Sequence, residues 1–401
     1  MGAWFTDRME KGLHTIEVSN YRSLRSVTLP NLGRLNVLVG PNASGKSTLL
    51  DVIQFLGDSV REDLLPAIRR REGLDRLRFR GAGTDESIRI AIKAQVTRFS
   101  SETALDHYEL KFGRTSEGKL FENLIHREEA ISFKRTRGAG RRIRIYGSKV
   151  MYEDQKKPTL ELREQSLGLA TLPKLKPSDG GEQVSQIAEL FSTFRVFEVS
   201  VPGARLPSRT RDRGVLLTDA SNLSAFLSFL REDEARFAQL QADARVIVPG
   251  LGDICFREVG GPEEAVVVEL EERGLGGRTP LADASFGTVR ALALLALLYD
   301  PSPPLLTCVE EIDHGLHPHV FDLLVERVRD ASQKTQFLIA THSPALVNRL
   351  RPSELIVCQR DIETGEARIP AIDSDVVAQM EKDSGLSLGE LWFSGTLGGT
   401  P

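Results

Sequence analysis

Two hydrophobic rhythms alternate along the chain, and their order predicts its elements. Residues 14–29 alternate apolar and polar positions with a period of two, which predicts two short strands. A compact apolar run follows, Leu35-Asn-Val-Leu-Val39, and helical spacing then covers Thr48 to Leu56. Period two returns over Ser87–Thr97 and Tyr108–Phe112, and in short runs up to Tyr152, predicting an antiparallel β layer. From Glu182 the spacing turns helical: helices are expected over 183–191 and 222–244, a strand-like run over 194–199, and strands over 246–259 and 265–270. A polar cap and an apolar helix cover Pro280–Leu295, and two apolar strands, each ending in a polar cluster, cover 305–313 and 336–344. Buried strands at both ends of the chain and a long insertion between them predict an α/β fold. Its parts are an N-terminal lobe over 13–100, an inserted β-rich region over 101–180, a helix-rich lobe over 181–280, the second half of the first lobe over 281–360 and a tail over 361–401.

Composition narrows the class without choosing a function. The chain has 401 residues, 40% hydrophobic and 27% charged, with a net charge of −4, as expected of an ordinary globular protein able to bury a sizeable core. Its three cysteines, Cys255, Cys308 and Cys358, are far apart and form no C-x-x-C, which argues against a disulfide framework or a zinc site and for a reducing cytoplasm. The longest apolar run, Ala291–Tyr299, is about half a membrane span, and the opening MGAWFTDRMEKG lacks the apolar centre of a signal peptide. No membrane segment is expected.

Chemistry enters at Gly40-Pro-Asn-Ala-Ser-Gly-Lys-Ser47, set between the apolar strand and the helix. The pattern G-x-x-x-x-G-K-[ST] in that context is a phosphate-binding loop: glycines let the backbone curl so that N–H groups point inward, and the helix N-terminus adds its positive end. Gly40, Asn42, Ala43, Ser44, Gly45, Lys46, Ser47 and Thr48 are therefore expected to hold a nucleoside triphosphate, ATP or GTP. Lys46 reaches the β- and γ-phosphates and Ser47 ligates Mg²⁺.

Such a loop needs an acid for the metal and a group to activate water. Leu305-Leu-Thr-Cys-Val-Glu-Glu-Ile-Asp313 offers both, Glu310 for the Mg²⁺ shell and Glu311, facing the other way, for the attacking water. His342, after the strand Gln336–Thr341, can reach a γ-phosphate through a ring N–H. Two basic stretches carry alternatives. Phe133–Lys149 holds seven basic residues and no acidic one, suiting either a hairpin that follows a nucleic-acid backbone or a solvated strand edge protected by charge. Leu64–Arg80, with the run Arg69-Arg-Arg71, reads as a charged helical face or a contact to a nucleic-acid phosphate backbone.

Several of these motifs resemble one family. Asn20-Tyr-Arg-Ser-Leu24 ahead of the loop is similar to the opening of RecF, SMC and OLD-type ATPases, in which a basic residue at the position of Arg22 lies near the nucleotide. His342 matches the switch histidine of ABC-type ATPases, and His314-Gly-Leu-His-Pro318 resembles their NGLHP segment with histidine in place of asparagine. Ala284-Ser-Phe-Gly-Thr288 resembles the ABC signature, matching at Ser285, Gly287 and Thr288 and departing at Phe286. The resemblance covers about residues 15–60 and 217–397 and implies a P-loop NTPase of ABC-ATPase type, a stand-alone AAA family ATPase of the RecF/OLD-like class. Its β layer and helical lobe would lie between the phosphate loop and the signature-like motif. It further implies ATP and Mg²⁺, an ATP-dependent homodimer in which Ser285 and Gly287 meet the γ-phosphate of the opposite subunit, and action in DNA repair or phage defence. DNA and a separately encoded nuclease or other effector are the implied partners. The alternative is the nucleotide-binding subunit of a membrane transporter. Long heptads of SMC type are lacking, Asp373-Ser-Asp375 reads as a loop, and the glutamine that ABC-type ATPases place near the nucleotide has only Gln95 and Gln165 as candidates.

Overall fold

A computed structural model describes residues 11–83, 86–114, 125–137, 140–152, 160–163, 165–172, 181–260 and 264–398. The opening alternation forms β1 (Gly12–Tyr21) and β2 (Leu24–Leu29), an antiparallel pair with Val18 opposite Val27 and Ile16 opposite Leu29. The apolar run becomes β3 (Leu35–Val39), buried at every position. Its one polar side chain, Asn36, donates to the carbonyls of Gly33 and Phe337, both at 2.9 Å, which removes the cost of burying an amide. After the glycine-rich loop come α1 (Lys46–Glu62), α2 (Leu64–Arg70) and α3 (Leu74–Leu77).

Antiparallel strands then accumulate: β4 (Ile88–Gln95), β5 (Asp106–Arg114), β6 (Ile125–Phe133), β7 (Arg141–Tyr146), β8 (Lys149–Tyr152) and β9 (Leu160–Glu161). They extend the first pair into an eight-stranded sheet of order β2-β1-β4-β5-β6-β7-β8-β9. This sheet passes residue 100 without a break, β4 pairing β5 from Ile88 opposite Phe112 to Ala94 opposite Asp106. The β-rich stretch expected as an insertion over 101–180 thus continues a layer that begins at residue 12. After α4 (Gly168–Thr171) and α5 (Gly181–Ser192), the inner face of the sheet is covered by α1 and α5, with Phe112 stacked on Phe55 at 5.3 Å and Tyr108 edge-on to Phe191 at 5.2 Å.

β10 (Val196–Phe197) and α6 (Val201–Ala204) lead to a mixed lobe: β11 (Ser208–Arg209), α7 (Leu223–Leu230), α8 (Glu234–Ile247), β12 (Leu251–Val259), β13 (Ala265–Glu272) and β14 (Arg278–Pro280). The strand expected from residue 246 begins only at Leu251, because α8 continues to Ile247. A four-stranded sheet, β11-β13-β12 with β14 on β13, accompanies the helices of this stretch.

The apolar helix α9 (Phe286–Leu298) precedes β15 (Leu306–Glu310), α10 (Phe321–Ala331), β16 (Gln336–Thr341), α11 (Pro344–Val347) and β17 (Leu355–Val357). These complete a central, all-parallel sheet of order β10-β15-β16-β3-β17. Its strands are apolar throughout because both faces are covered. Leu38, Cys308, Leu338 and Ala340 face α1 and the eight-stranded sheet, whereas Val37, Val39, Val309, Phe337 and Ile339 face α7, α9 and α10. The tail adds β18 (Gln359–Arg360), β19 (Ala367–Arg368), α12 (Ser374–Ser384) and α13 (Leu388–Phe393). Asp373-Ser-Asp375, expected as a loop, opens α12: the Asp373 carboxylate caps it by accepting from the Asp375 N–H at 2.9 Å.

Candidate functional site

Strand register assembles the site. In the parallel ladder Glu310 pairs with Ala340, Ala340 with Leu38, and Thr341 with Val39, so β15, β16 and β3 end level. The residues that follow each strand, Glu311, His342 and Gly40, therefore emerge along one edge of the sheet. No local pattern in the sequence sets this alignment.

At that edge the chain from Gly40 to Lys46 curls as its glycines require. A Cβ on Gly40 would collide with the Cys358 carbonyl and lie 2.5 Å from Ser44 Oγ; Gly45 has φ 98°, and a Cβ there would come within 2.7 Å of Ala367 Cβ. Ala43 also takes positive φ, 64°. Asn42, Ala43 and Ser47 are exposed, whereas Ser44, Gly45 and Lys46 are buried. Two features fit this cradle to an anion. Lys46 Nζ donates to the Gly40 and Pro41 carbonyls at 2.6 and 2.9 Å, and the buried Ser44 Oγ has no hydrogen-bond partner. Burial pushes the Lys46 ammonium below its usual pKa, opposed by the carboxylates of Glu310 and Glu311. Burial pushes the Cys358 thiol, behind the loop, up to about 12.

Glu310 ends β15 half-buried, and Glu311 takes φ 48°. The Glu311 carbonyl accepts from Arg290 Nη2 on α9 at 2.5 Å, and its carboxylate lies 3.3 Å from His314 Nδ1. Asp313, two residues on, accepts from Thr341 Oγ1 at 2.5 Å and ties the acidic turn to the end of β16. His342 is exposed just beyond. Neither Arg290 nor Asp313 stands out by motif. The sequence signal was a lone arginine in an otherwise apolar helix, a residue type rarely buried without a partner.

Arg22 lies in the turn between β1 and β2 at φ 48°. Its guanidinium meets Asp51 at 3.0 Å, and Asp51 also accepts from Tyr21 at 2.7 Å. The neighbouring Ser23 Oγ lies 3.2 Å from Thr48 Oγ1, so Arg22 is anchored beside the first turn of α1. The two glutamine candidates lie elsewhere. Gln95 shares a cleft with Gln336 and Gly12 at the opposite end of the central strands, and Gln165 precedes Ser166, which bonds Asp63 beyond the far end of α1. Alternation and loop composition gave neither of them a tertiary address.

Ser285 caps α9, its Oγ accepting from the Thr288 N–H at 3.1 Å. A Cβ on Gly287 would lie 2.8 Å from the Gly315 carbonyl, so glycine there lets the His314–Pro318 segment pack on the signature-like turn. Ser285, Gly287, Thr288 and His317 line a cleft of about 890 Å³ that contains no residue of the Gly40–Thr48 stretch.

The profile of a family described as "AAA domain, putative AbiEii toxin, Type IV TA system" matches residues 35–348. No curated protein matches in sequence. Among solved structures, an SMC head bound to the C-winged helix domain of ScpA is similar at TM-score 0.53 and 14% identity, over 93% of this chain and 99% of that one. A second, an SMC head with an extended coiled coil bound to the C-terminal domain of ScpA, derived from Pyrococcus furiosus, aligns at TM-score 0.49 and 12% identity, over 94% of this chain and 100% of that one. The first likeness is one of fold.

Proposed function

The chain belongs to the family described as "AAA domain, putative AbiEii toxin, Type IV TA system" and is an ATPase, and from that premise we propose that it dimerises around ATP as an ABC-type ATPase of the RecF/OLD-like class. In this reading it acts in the cytoplasm and drives a separately encoded effector, such as a nuclease, in DNA repair or phage defence. Lys46, the loop N–H groups, Ser44 and Thr48 hold the phosphates, and Arg22 approaches from the β1–β2 turn. Ser47 and Glu310 would hold Mg²⁺, which supplies charge neutralisation on the phosphates. Glu311 accepts a proton from the attacking water, and His342 donates to the γ-phosphate.

The observation that carries dimerisation is the separation of two half-sites. The cradle and its acids share one edge of the central sheet, while the Ser285–Thr288 turn opens into a cleft without any of the cradle residues. A second copy would bring its turn to this cradle. Among the described residues no helix is long and apolar enough to cross a membrane. The outer face of β7 presents Arg142, Arg144 and Tyr146 beside Lys149 of β8, which supports DNA as a partner. The Gly138–Ala139 centre of that hairpin lies outside the described residues.

Light scattering of Glu311→Gln protein tests the proposal. The expected mass doubles on ATP addition, and Ser285→Arg abolishes the doubling. An unchanged mass with ATP bound, or a dimer indifferent to Ser285→Arg, overturns it.

A further inference from the structure

The turn after β4 holds a phenylalanine in water. Asp106, 2% exposed, accepts from the Val96 N–H at 3.2 Å and from the Thr97 N–H and Oγ1 at 2.8 and 2.9 Å, and Ser100 Oγ donates to the Thr97 carbonyl at 2.7 Å. These bonds fix the backbone on both sides of Arg98 and Phe99. The Phe99 ring therefore projects from an anchored turn and is 51% exposed, although the hydrophobic effect favours its burial.

Two guanidiniums meet that ring. The neighbouring Arg98 lies 5.6 Å from the ring centre, and Arg135, arriving from beyond the end of β6, lies 4.8 Å from it. Register explains the meeting. Ala94 pairs with Asp106, Asp106 with Phe133, and Phe133 with Arg141, so the turn after β4, the end of β6 and the start of β7 share one end of the eight-stranded sheet. Among the described residues Arg98, Lys134, Arg135 and Arg137 form no ion pair with a carboxylate. The basic row continues along the outer face of β7 through Arg142 and Arg144 to Tyr146, which is 62% exposed and stands edge-on to His126 at 4.8 Å. Glu128, the one carboxylate on the outer face of β6 and β7, lies 3.1 Å from His126 Nε2. Aromatic rings thus stand at both ends of a basic row five residues long, about 17 Å at the rise of a strand.

A duplex offers phosphates to such a row but keeps its base faces stacked inside, whereas an unpaired strand offers both. We propose that this surface binds single-stranded DNA, one base stacking on Phe99 and another on Tyr146, with the intervening phosphates on Arg98, Arg135, Arg142 and Arg144. The guanidiniums of Arg98 and Arg135 are planar and weakly hydrated, so they extend the stacking surface of the exposed ring. Phe99 lies outside the basic stretch 133–149 and joins it only through the fold. The inference rests on DNA being a partner and narrows that reading to unpaired nucleotides. It needs neither dimerisation nor any residue of the nucleotide cradle.

Anisotropy titrations of the full-length protein with oligo(dT) of about 12 nucleotides, and with a duplex of the same length, test the proposal. The oligonucleotide is expected to bind at least about fivefold more tightly than the duplex, the factor that stacking of one base supplies. Phe99→Ala should weaken oligonucleotide binding at least about fivefold and leave duplex binding within about twofold, whereas Phe99→Tyr, which keeps the stacking face, should stay within about twofold of wild type for both. Replacing Arg98 and Arg135 by Ser should reduce the slope of log K against log[salt] for the oligonucleotide by about 1.4, the share of two phosphates on a single strand. If the duplex binds and the oligonucleotide binds no more tightly, or if Phe99→Ala leaves oligonucleotide binding unchanged or weakens both DNAs alike, the single-strand site is overturned while DNA stands as a partner. Binding of neither DNA overturns both.

Discussion

Arg290→Met isolates how the fold holds its proposed water-activating carboxylate. Arg290 is 4% exposed, and its Nη2 donates to the Glu311 carbonyl at 2.5 Å while its Nε has no partner. Burial lowers its pKa, and Glu311, Asp313 and Glu198 oppose that shift. Glu311 sits at φ 48°, a conformation that costs a non-glycine residue on the order of 1–3 kcal/mol and persists only when neighbours impose it. The guanidinium supplies that constraint. A hydrogen bond to a charged group contributes roughly 1.5–3 kcal/mol, and methionine fills the space of the arginine stem without replacing the bond. If about 2–3 kcal/mol is lost from the placement of the Glu311 carboxylate, kcat falls about 30- to 160-fold at about 1.4 kcal/mol per decade. KM for ATP should stay within about threefold, because Arg290 touches nothing in the Gly40–Thr48 cradle. Steady-state phosphate release measures both constants. In a Glu311→Gln background the carboxylate is already gone, and Arg290→Met should then cost less than about threefold more. Activity within about twofold of wild type, or full additivity with Glu311→Gln, would refute the reasoning.

Lys46→Ala should abolish ATP binding, while Glu311→Gln keeps binding and loses at least about 10²-fold in turnover; nucleotide titration and phosphate release measured separately would expose either error. Replacing Arg141, Arg142 and Arg144 by Ser should flatten the salt dependence of duplex DNA binding by ATP-bound Glu311→Gln protein. A slope near −3 to −4 is expected before substitution if about four phosphates are contacted, and coincident anisotropy curves at three salt concentrations would remove DNA from this hairpin. Burial would raise the Glu354 pKa, but Arg329, bonding both carboxylate oxygens at 2.8 and 2.7 Å, outweighs it and holds the group below its usual value. A depressed carboxylate contributes stability above its unfolded pKa and loses it as pH falls through the folded one. Glu354→Gln should therefore cost about 1–2 kcal/mol at pH 7 and progressively less below about pH 4, read from urea midpoints; a pH-independent difference would contradict this.

What the sequence alone could specify was chemistry carried by adjacent residues. Gly40–Ser47 is legible because its backbone curl depends on glycines a few positions apart, and each central strand is legible because burial on both faces demands an unbroken apolar run. Period two located most strands of the β layer, since alternation is a property of one strand between core and solvent. It could not say that β4 and β5 belong to one sheet, because pairing between strands is decided by neighbours that local periodicity does not name. The boundary expected near residue 100 therefore fell inside a layer. Glu310, Glu311 and His342 could be marked as candidates, but their shared edge with Gly40 follows from the register of three parallel strands, of which β3 lies more than 260 residues before β15 and β16. Arg290 escaped notice because its meaning lies in the carbonyl it reaches on another element. Arg22 was marked by resemblance alone, and its place beside Thr48, Arg70, Arg71 and Arg76 was decided by tertiary folding, which closes long loops at a cost growing slowly with their length.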